Sequence, residues 1–240
     1  MHVSPVVSLP QAQDFLAFTL CRNVERQTAT RIAAQGSHHK VHAGQILFHE
    51  GDESDCVYEV IRGMVKLYKL LPDGRRQITG FVSAGDLMGL CYDESFIHTA
   101  EAVTDVVVFC FPKARFERML SEVPAFARAL LDATQQELRA AQDQMLLLGR
   151  KTATERIASF LLTMAERYGD AGCCDTMTFA VPMKRSDIAD YLGLTIETVS
   201  RGLSRLKKAD VIVDFDGGRM MQVHMDRLSE LASGDCSDEL

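Results

Sequence analysis

The sequence of 240 residues lacks tryptophan, has only six prolines, and contains no apolar run that could cross a membrane, for which about 18 residues are needed. Its first residues, MHVSPVVSLPQAQDF, have neither the basic start nor the long apolar core of a signal peptide. We therefore expect a cytoplasmic protein with no membrane partner. Hydrophobic residues make up 47% of the chain and charged residues 25%, which excludes collagen-like and disordered classes and allows one or two folded domains.

The cysteines are odd in number, and their spacing does not repeat. Secreted proteins that depend on disulfides usually carry an even number of cysteines at characteristic spacings. The pattern therefore favours a protein of a reducing compartment over a disulfide scaffold. The seven cysteines stand at positions 21, 56, 91, 110, 173, 174 and 236.

The net charge of −7 argues against a nucleic-acid partner, because phosphate repels an acidic protein. The distribution of charge reverses this argument. Residues 184–208 contain six bases and three acids, so this segment carries +3 while the rest of the chain carries −10. A local basic patch on an acidic body keeps DNA as a candidate partner. The six bases are Lys184, Arg185, Arg201, Arg205, Lys207 and Lys208.

Residues 41–111 have the pattern of an all-β domain. The glycines at 44, 51, 63, 74 and 85 are 7 to 12 residues apart and separate short runs rich in valine, isoleucine, leucine, phenylalanine and tyrosine. This spacing predicts a sandwich or a barrel. The turn sequence LeuProAspGly at 71–74 predicts a hairpin between MVKLYKL and RRQITGFV, because Pro72 restricts φ and Gly74 tolerates positive φ.

After residue 112 the apolar period changes to that of a helix, and Pro124 suits a first helical turn. The stripe continues to Gly149 and predicts one helix about 37 Å long. Its narrow stripe resembles a coiled-coil seam and favours a dimer interface, while the alternative is a helix packed on its own β domain. The stripe consists of Phe126, Leu130, Ala133, Ala141, Met145 and Leu148.

A second domain is expected after Gly149. Its first element is an amphipathic helix at 152–168, followed by a strand around TFAVP and two short helices. A closing hairpin is predicted from VIVDF and RMMQVHM, since the AspGlyGly between them suits a tight turn. The helix at 152–168 places Ile157, Phe160, Leu161 and Met164 on its apolar face.

The stretch SDIADYLGLTIETVSRGLSRLKK has the spacing of a helix-turn-helix. Ser186 is a candidate cap for the first helix, Gly193 ends it, and Thr195 is a candidate cap for the second. Ala189 suits the point where two crossing helices touch. The first helix turns Ile188, Ala189 and Leu192 inward, and the second helix buries Ile196, Val199, Leu203 and Leu206.

The opposite face of the second helix is polar. Its N-terminal part corresponds to the end of a recognition helix that meets base edges in the major groove. Arginine binds guanine in a bidentate manner, and a carboxylate accepts from cytosine N4. The alternative is an ordinary solvent-exposed helix face. The outward residues are Glu197, Ser200, Arg201, Ser204, Arg205 and Lys208.

Four motifs together resemble the Crp/Fnr superfamily of bacterial transcription regulators, and within it the FixK and Fnr branch. They are AGQILFHEGD at 43–52, IRGMVKLYKLLPDGRRQI at 61–78, GDLMGL at 85–90 and LGLTIETVSRGLSRL at 192–206. The resemblance implies an α+β fold: a cyclic-nucleotide-binding-like β-barrel of the jelly-roll type in residues 1–120, a dimerisation helix in 121–149, and a winged helix-turn-helix in 150–240.

By the same resemblance the protein is expected to be a transcription regulator, and most such relatives are activators. A homodimer would bind TTGA/TCAA-type inverted repeats in double-stranded DNA, with RNA polymerase as a further partner and microaerobic, anaerobic or nitrogen-related genes as targets. Glu197, Ser200 and Arg201 would read bases, and Thr195 and Thr198 would hold phosphates. The remaining candidate DNA contacts are Ser204, Arg205, Lys184 and Arg185.

Two other functional classes, an enzyme and an effector-sensing module, have less support in the sequence. No GxSxG, HExxH or P-loop pattern occurs, so we expect no enzymatic activity. The alternative function is a cyclic-nucleotide-type module that senses an effector and acts through a protein partner. In relatives that bind cyclic nucleotides an Arg-Ser pair clamps the phosphate, whereas His98 and Thr99 stand here. A neutral histidine does not replace a bidentate cation, so no nucleotide is expected.

No cofactor or metal is expected either. An oxygen-sensing iron-sulfur cluster needs four thiolates, three of them close together near the N-terminus, where only Cys21 stands. Cysteines in or beside strands are usually small buried hydrophobes, which is the interpretation for Cys56, Cys91 and Cys110. Haem has no support in the sequence. The histidines at 38, 39, 42 and 49 span a loop and a strand without helical pairing and favour a solvated loop over a metal site.

Cys173 and Cys174 are candidates for a redox-sensitive point. They are adjacent, follow a glycine-rich loop and precede the basic patch by about a dozen residues. A positive field stabilises a thiolate and favours its oxidation, which would add negative charge beside DNA. The alternative is a pair of inert loop residues.

Overall fold

The computed structural model describes residues 25–90, 94–171 and 175–234. The expectations for Cys21, Cys91, Cys173 and Cys174 fall outside these residues. The chain divides into two compact units, Met1–Ala140 and Ala141–Leu240. No helix among the described residues is both long enough and apolar enough to span a bilayer.

The first unit is built on two four-stranded sheets, as expected for a jelly-roll barrel. Their strand orders are β1-β8-β3-β6 and β2-β7-β4-β5, and all neighbouring strands run antiparallel. The strands are β1 (Ser37–Val41), β2 (Ile46–Phe48), β3 (Cys56–Arg62), β4 (Met64–Leu70), β5 (Arg76–Ser83), β6 (Leu87–Met88), β7 (Thr99–Ala102) and β8 (Val106–Pro112). The helices are α1 (Arg26–Ala33), α2 (Lys113–Glu122) and α3 (Pro124–Arg150), the last of which continues into the second unit.

The predicted hairpin joins β4 to β5. Pairing runs from Met64↔Ser83 to Leu70↔Arg76, and Gly74 has a φ of +84° in the connecting turn. The N–H of Gly74 donates to the carbonyl of Leu71 at 2.9 Å and closes the turn. Because the turn chemistry is local, the sequence predicted this hairpin correctly.

Side chains along β8 point alternately into two apolar cores of the first unit. Val106 and Val108 point between the sheets, where Phe48 and Phe96 stack with ring centroids 3.9 Å apart. Phe109 and Phe111, which point to the opposite face of the strand, belong to the other core, which α1, α2 and the first turn of α3 cover. Phe126, for example, packs on Phe116 with centroids 5.3 Å apart.

In the described residues of the second unit, three helices lie between the end of α3 and the closing hairpin, and one helix follows the hairpin. The helices are α4 (Ala153–Tyr168), α5 (Arg185–Leu192), α6 (Ile196–Lys208) and α7 (Met225–Ser233). The strands are β9 (Asp170–Ala171), β10 (Thr176–Ala180), β11 (Ile212–Phe215) and β12 (Met220–His224), in the order β11-β12-β10-β9. The predicted apolar face of α4 is buried. Helix α7 was not predicted, although Leu228 and Leu231 have helical spacing and are buried.

Helix α3 is a single helix of 27 residues, as the period predicted. Its first turn packs on the β domain through Phe126, and Leu147 is buried near its other end. Between these points large apolar side chains face solvent, including Leu138 at 59% and Met145 at 70% exposure. The predicted stripe omitted Leu131 and Leu138, both of which are exposed.

Candidate nucleic-acid interface

Helices α5 and α6 form the predicted helix-turn-helix. Helix α5 ends at Gly193, which adopts a left-handed conformation with φ of +62°. Helix α6 begins after Thr195, whose hydroxyl accepts a hydrogen bond from the N–H of Thr198 at 3.2 Å. The glycine reverses the chain without strain, and the threonine satisfies a free amide of the first turn.

The start of α5 corrects one prediction. Lys184, not Ser186, is the residue before the helix, and Ser186 is the second helical residue. The buried carboxylate of Asp187 accepts the N–H of Lys184 at 3.2 Å. An acid at the third helical position therefore caps the helix in place of the serine hydroxyl.

The core between the two helices follows the predicted pattern with one exception. Ile196 is 48% exposed, although it was placed on the buried face. It occupies the first helical position, before the part of α6 that packs on its neighbours, so the buried face begins at Val199. The residues buried as predicted are Ile188, Ala189, Leu192, Val199, Leu203 and Leu206.

Gly202 lies where α6 packs against Ile157 of α4, and no local signal in the sequence predicts this contact. A Cβ atom added at Gly202 would lie 2.4 Å from Cδ1 of Ile157. Real Cβ contacts are longer than this, so the end of the buried Ile157 side chain would have to shift. The absence of a side chain thus lets α6 lie against its support.

The polar face of α6 is presented to solvent, with Glu197, Arg201, Ser204, Arg205 and Lys208 exposed and Ser200 half-buried. The Ser200 hydroxyl accepts from the guanidinium of Arg185 at 3.3 Å. The Ser204 hydroxyl donates to the backbone carbonyl of Ser200 at 2.8 Å. These bonds orient both hydroxyls, and Arg185 is brought beside the middle of α6.

Glu197 is an ionised acceptor. Its own backbone N–H and the Thr195 hydroxyl hydrogen-bond the carboxylate, and the positive charge of Arg201 lies nearby. These interactions hold the pKa of Glu197 below its usual value. The first two turns of α6 therefore present a carboxylate acceptor and a guanidinium donor on the same exposed face.

The basic patch is smaller than its sequence suggested. Five of its bases, Lys184, Arg185, Arg201, Arg205 and Lys208, are exposed, but the Lys207 ammonium pairs with the carboxylate of Asp214 on β11. This pair lowers the pKa of Asp214, because the Lys207 hydrogen bond and charge favour the ionised form. Lys207 thus fastens α6 to the wing.

Strands β11 and β12 form the predicted wing hairpin, with Ile212 opposite Val223 and Phe215 opposite Met220. Residues 216–219 connect them, and Gly217 and Gly218 both have positive φ. Arg219 is exposed next to this turn and adds a cation that the sequence analysis missed. The sequence alone does not show that Arg219 lies in the wing, because this depends on where the hairpin packs relative to α6.

Arg156 is a third residue, after Gly202 and Arg219, that the sequence did not predict. From α4 its guanidinium donates to the carbonyls of Leu148, Lys151 and Leu192, each at 2.9 Å. It therefore joins the end of α3, the link to α4 and the end of α5. No local sequence signal identifies a side chain whose partners lie up to 36 residues away.

His98 and Thr99, the two barrel positions at which no phosphate clamp is expected, hold uncharged groups. Burial, followed by the charge of Lys69, lowers the pKa of His98, so the imidazole is neutral at pH 7. The Thr99 hydroxyl accepts the N–H of Glu50 at 3.0 Å. Within residues 25–90, 94–171 and 175–234, no three histidine, cysteine or acidic side chains are grouped so that they could hold a metal ion.

Comparison with known families agrees with both halves of the structure. Residues 38–123 match the family described as a cyclic nucleotide-binding domain, and residues 155–231 match the Crp-like helix-turn-helix domain. Together with the capped helix pair and its wing, these matches define a class of transcription regulator that combines a sensor-type barrel with a DNA-binding domain.

Individual relatives show which branch of this class the chain resembles. It is 44% identical over 177 residues to the nitrogen fixation regulation protein FixK of Bradyrhizobium diazoefficiens, covering 73% of this chain and 74% of that one. It is 41% identical over 200 residues to the transcriptional activator protein FnrL of Cereibacter sphaeroides, with coverage of 82% and 80%. The solved structure of FixK2 from Bradyrhizobium japonicum has a TM-score of 0.75, 42% identity and coverage of 82% and 96%. The chain belongs to the Crp/Fnr family of transcription regulators, on its FixK/Fnr-like branch.

Proposed function

We propose that this regulator acts in the cytoplasm as a homodimeric activator that binds TTGA/TCAA-type inverted repeats. The observation that carries the proposal is the exposed face of α6, on which Glu197 and Arg201 stand one helical turn apart behind the Thr195 cap. In a helix-turn-helix this is the part of the second helix that meets base edges.

Each side chain of this face has a role that its chemistry suits. Arg201 donates two hydrogen bonds to guanine, and ionised Glu197 accepts from cytosine N4. Ser200, oriented by Arg185, contacts a base beside them. Thr195 and Thr198 hold phosphate at the positive end of α6. We assign contacts with the DNA backbone to Lys184, Arg185, Ser204 and Arg205, which are exposed or partly exposed around this face.

The dimer would form along α3. Leu131, Leu138 and Met145 repeat every seven residues and are exposed. Thr134, Ala141 and Leu148 fill the intermediate positions of the same seam, and a seam of this kind buries itself against a second helix. A two-fold dimer presents its recognition helices to successive major grooves, so the half-sites lie about 34 Å apart.

The regulated genes are proposed from the relatives. The names of the relatives refer to nitrogen fixation regulation and to fumarate and nitrate reduction. We assign this chain to microaerobic, anaerobic or nitrogen-related genes, with RNA polymerase as the protein partner at the promoter. Cyclic AMP has no part in the proposal, because neutral His98 offers no cation to its phosphate.

Binding to duplex DNA as a function of salt concentration tests the proposal. One duplex carries TTGA and TCAA half-sites in inverted orientation, a second has one half-site scrambled, and a third is random. We expect tight binding only to the first, and a linear fall of log affinity with log salt. Equal affinity for all three duplexes, or no dependence on salt, would contradict the proposal and favour a module that acts through a protein partner.

A further inference from the structure

Two cysteines of the barrel lie in contact, although 54 residues separate them in the sequence. Cys56 is the first residue of β3 and Cys110 lies in β8, the strand beside it. Tyr58 is opposite Cys110 and Cys56 is opposite Pro112, so the cysteines are diagonal neighbours on one face of the sheet. Their Sγ atoms are 2.7 Å apart.

The surroundings of the pair make it reactive and reachable. Cys110 is buried but Cys56 is partly exposed, so a small molecule reaches the pair from the side of Cys56. The hydrogen bond between the two thiols lowers the pKa of Cys110, and the same contact together with burial raises the pKa of Cys56. The lowered pKa favours the thiolate form of Cys110, and thiolates are the form that oxidants attack.

We propose that Cys56 and Cys110 are an oxidant-responsive dithiol, which hydroperoxides convert to a reversible intramolecular disulfide. One sulfur attacks the peroxide O–O bond, which breaks to give a sulfenic acid and one molecule of water or alcohol. The other sulfur then displaces the hydroxyl group, which leaves as water, and the S–S bond forms. Two thiols are oxidised and one peroxide is reduced, and a small-molecule dithiol reverses the reaction.

The strands are already in place for this bond. The two Sγ atoms, 2.7 Å apart, need to approach to about 2.05 Å to form the bond. Strands β3 and β8 are already paired from Cys56 to Val60, so the bond forms within an existing strand pair. By contrast, cysteines on distant surfaces would require the barrel to open before they could join.

Cys56 also lies on β3, the strand that supports the GDLMGL segment at 85–90. Gly85 donates to the carbonyl of Val60 at 2.8 Å, and Val60 donates to that of Asp86 at 3.0 Å. A Cβ atom added at Gly89 would lie 3.0 Å from the carbonyl oxygen of Cys56. A disulfide that fixes β3 to β8 thus restrains the strand on which residues 85–90 rest, and this effect does not depend on DNA binding.

Peptide mapping of the oxidised full chain tests the proposal. The protein is reduced, freed of reductant, treated with hydrogen peroxide under native conditions, alkylated and digested without reduction. Trypsin leaves Cys91 and Cys110 in one peptide, residues 77–113, so a second protease that cuts after Glu94 and Glu101 is needed to separate them. We expect a peptide that links Cys56 to Cys110, its disappearance after dithiothreitol, and a higher melting temperature for the oxidised protein.

Two variants serve as controls. Cys110→Ser should lose both the link and the rise in melting temperature, whereas Cys236→Ser should keep both. If Cys110→Ser does not fold, the peptide map of the wild-type protein alone still tests the proposal. Free or overoxidised sulfurs at both positions in folded protein would overturn the proposal, and so would a link that joins Cys91 to either cysteine as the main product. Because no DNA is present, these results are independent of the proposed operator.

Discussion

The guanidinium of Arg156 donates to the backbone carbonyl of Leu192 at 2.9 Å, across 36 residues of sequence. Leu192 is the last residue of α5, so its carbonyl has no partner within the helix. Gly193 turns away directly afterwards, and an added Cβ there would lie 3.6 Å from the Arg156 guanidinium. The end of the first helix of the motif is thus held by a side chain of α4.

Replacement of Arg156 by lysine is expected to lower the free energy of unfolding by about 2 kcal/mol, because an ammonium group cannot reach the three carbonyls at once. Urea unfolding of the full chain measures this change. Arg150→Lys, at the exposed end of α3, is the matched control and should have little effect. Equal unfolding midpoints for the two variants would show that the three hydrogen bonds contribute nothing.

Gly202→Ala is expected to destabilise the protein by about 1–3 kcal/mol, because the new methyl group meets Cδ1 of Ile157. Helix propensity alone predicts the opposite sign, a gain of about 1 kcal/mol. Ile157→Val removes the obstructing atom, so in that background Gly202→Ala should cost much less or stabilise. A thermal-unfolding double-mutant cycle measures the coupling, and the same cost in both backgrounds would refute the steric explanation.

Features determined by neighbouring residues were predictable from the sequence. The β4–β5 turn needs Gly74 at a positive φ, and the helix-turn-helix needs Gly193 and Thr195 at its ends, and all three stand where the structure uses them. Burial of Val199, Leu203 and Leu206 follows from helical spacing. Local propensity and periodicity therefore predicted the motif almost completely.

Features that depend on distant partners were not predictable. Lys207 was counted among the bases of the local basic patch, but its partner Asp214 lies on the next strand. Cys56 and Cys110 were interpreted as separate core residues, and only the pairing of β3 with β8 brings their sulfurs together. The exposure of Ile196 likewise depends on where α6 meets its neighbours, which periodicity does not reveal.

The Lys207–Asp214 pair predicts a pH dependence of stability. Lys207 depresses the pKa of Asp214 in the folded protein, so the pair stabilises the fold above the unfolded pKa of about 3.9 and is lost as the pH falls through the folded value. Asp214→Asn should therefore melt below wild type at pH 7, and the difference should narrow below about pH 4. Melting curves from pH 3 to pH 7 measure this. Glu166→Gln, exposed on α4, is the control, and a difference for Asp214→Asn that does not change with pH would exclude the ion pair as its cause.

Leu138→Glu is expected to weaken the dimer by about two orders of magnitude in dissociation constant, since a charge in an apolar seam is not compensated. Gln136→Glu introduces the same charge on α3 but away from the seam, and it should leave the dimer intact. Sedimentation equilibrium of both variants distinguishes these outcomes. A dimer that survives Leu138→Glu unchanged would place the interface elsewhere.

The most direct test of the central claim compares wild type and Arg201→Ala on the inverted-repeat duplex and on random DNA. If Arg201 reads guanine, its loss costs about 1–3 kcal/mol on the inverted repeat, with little change on random DNA. Arg205→Ala, which removes an exposed cation of the same helix that is assigned to the DNA backbone, should instead weaken both duplexes alike and reduce the salt dependence. An equal loss on both duplexes for Arg201→Ala would contradict the assignment of α6 as the helix that reads sequence.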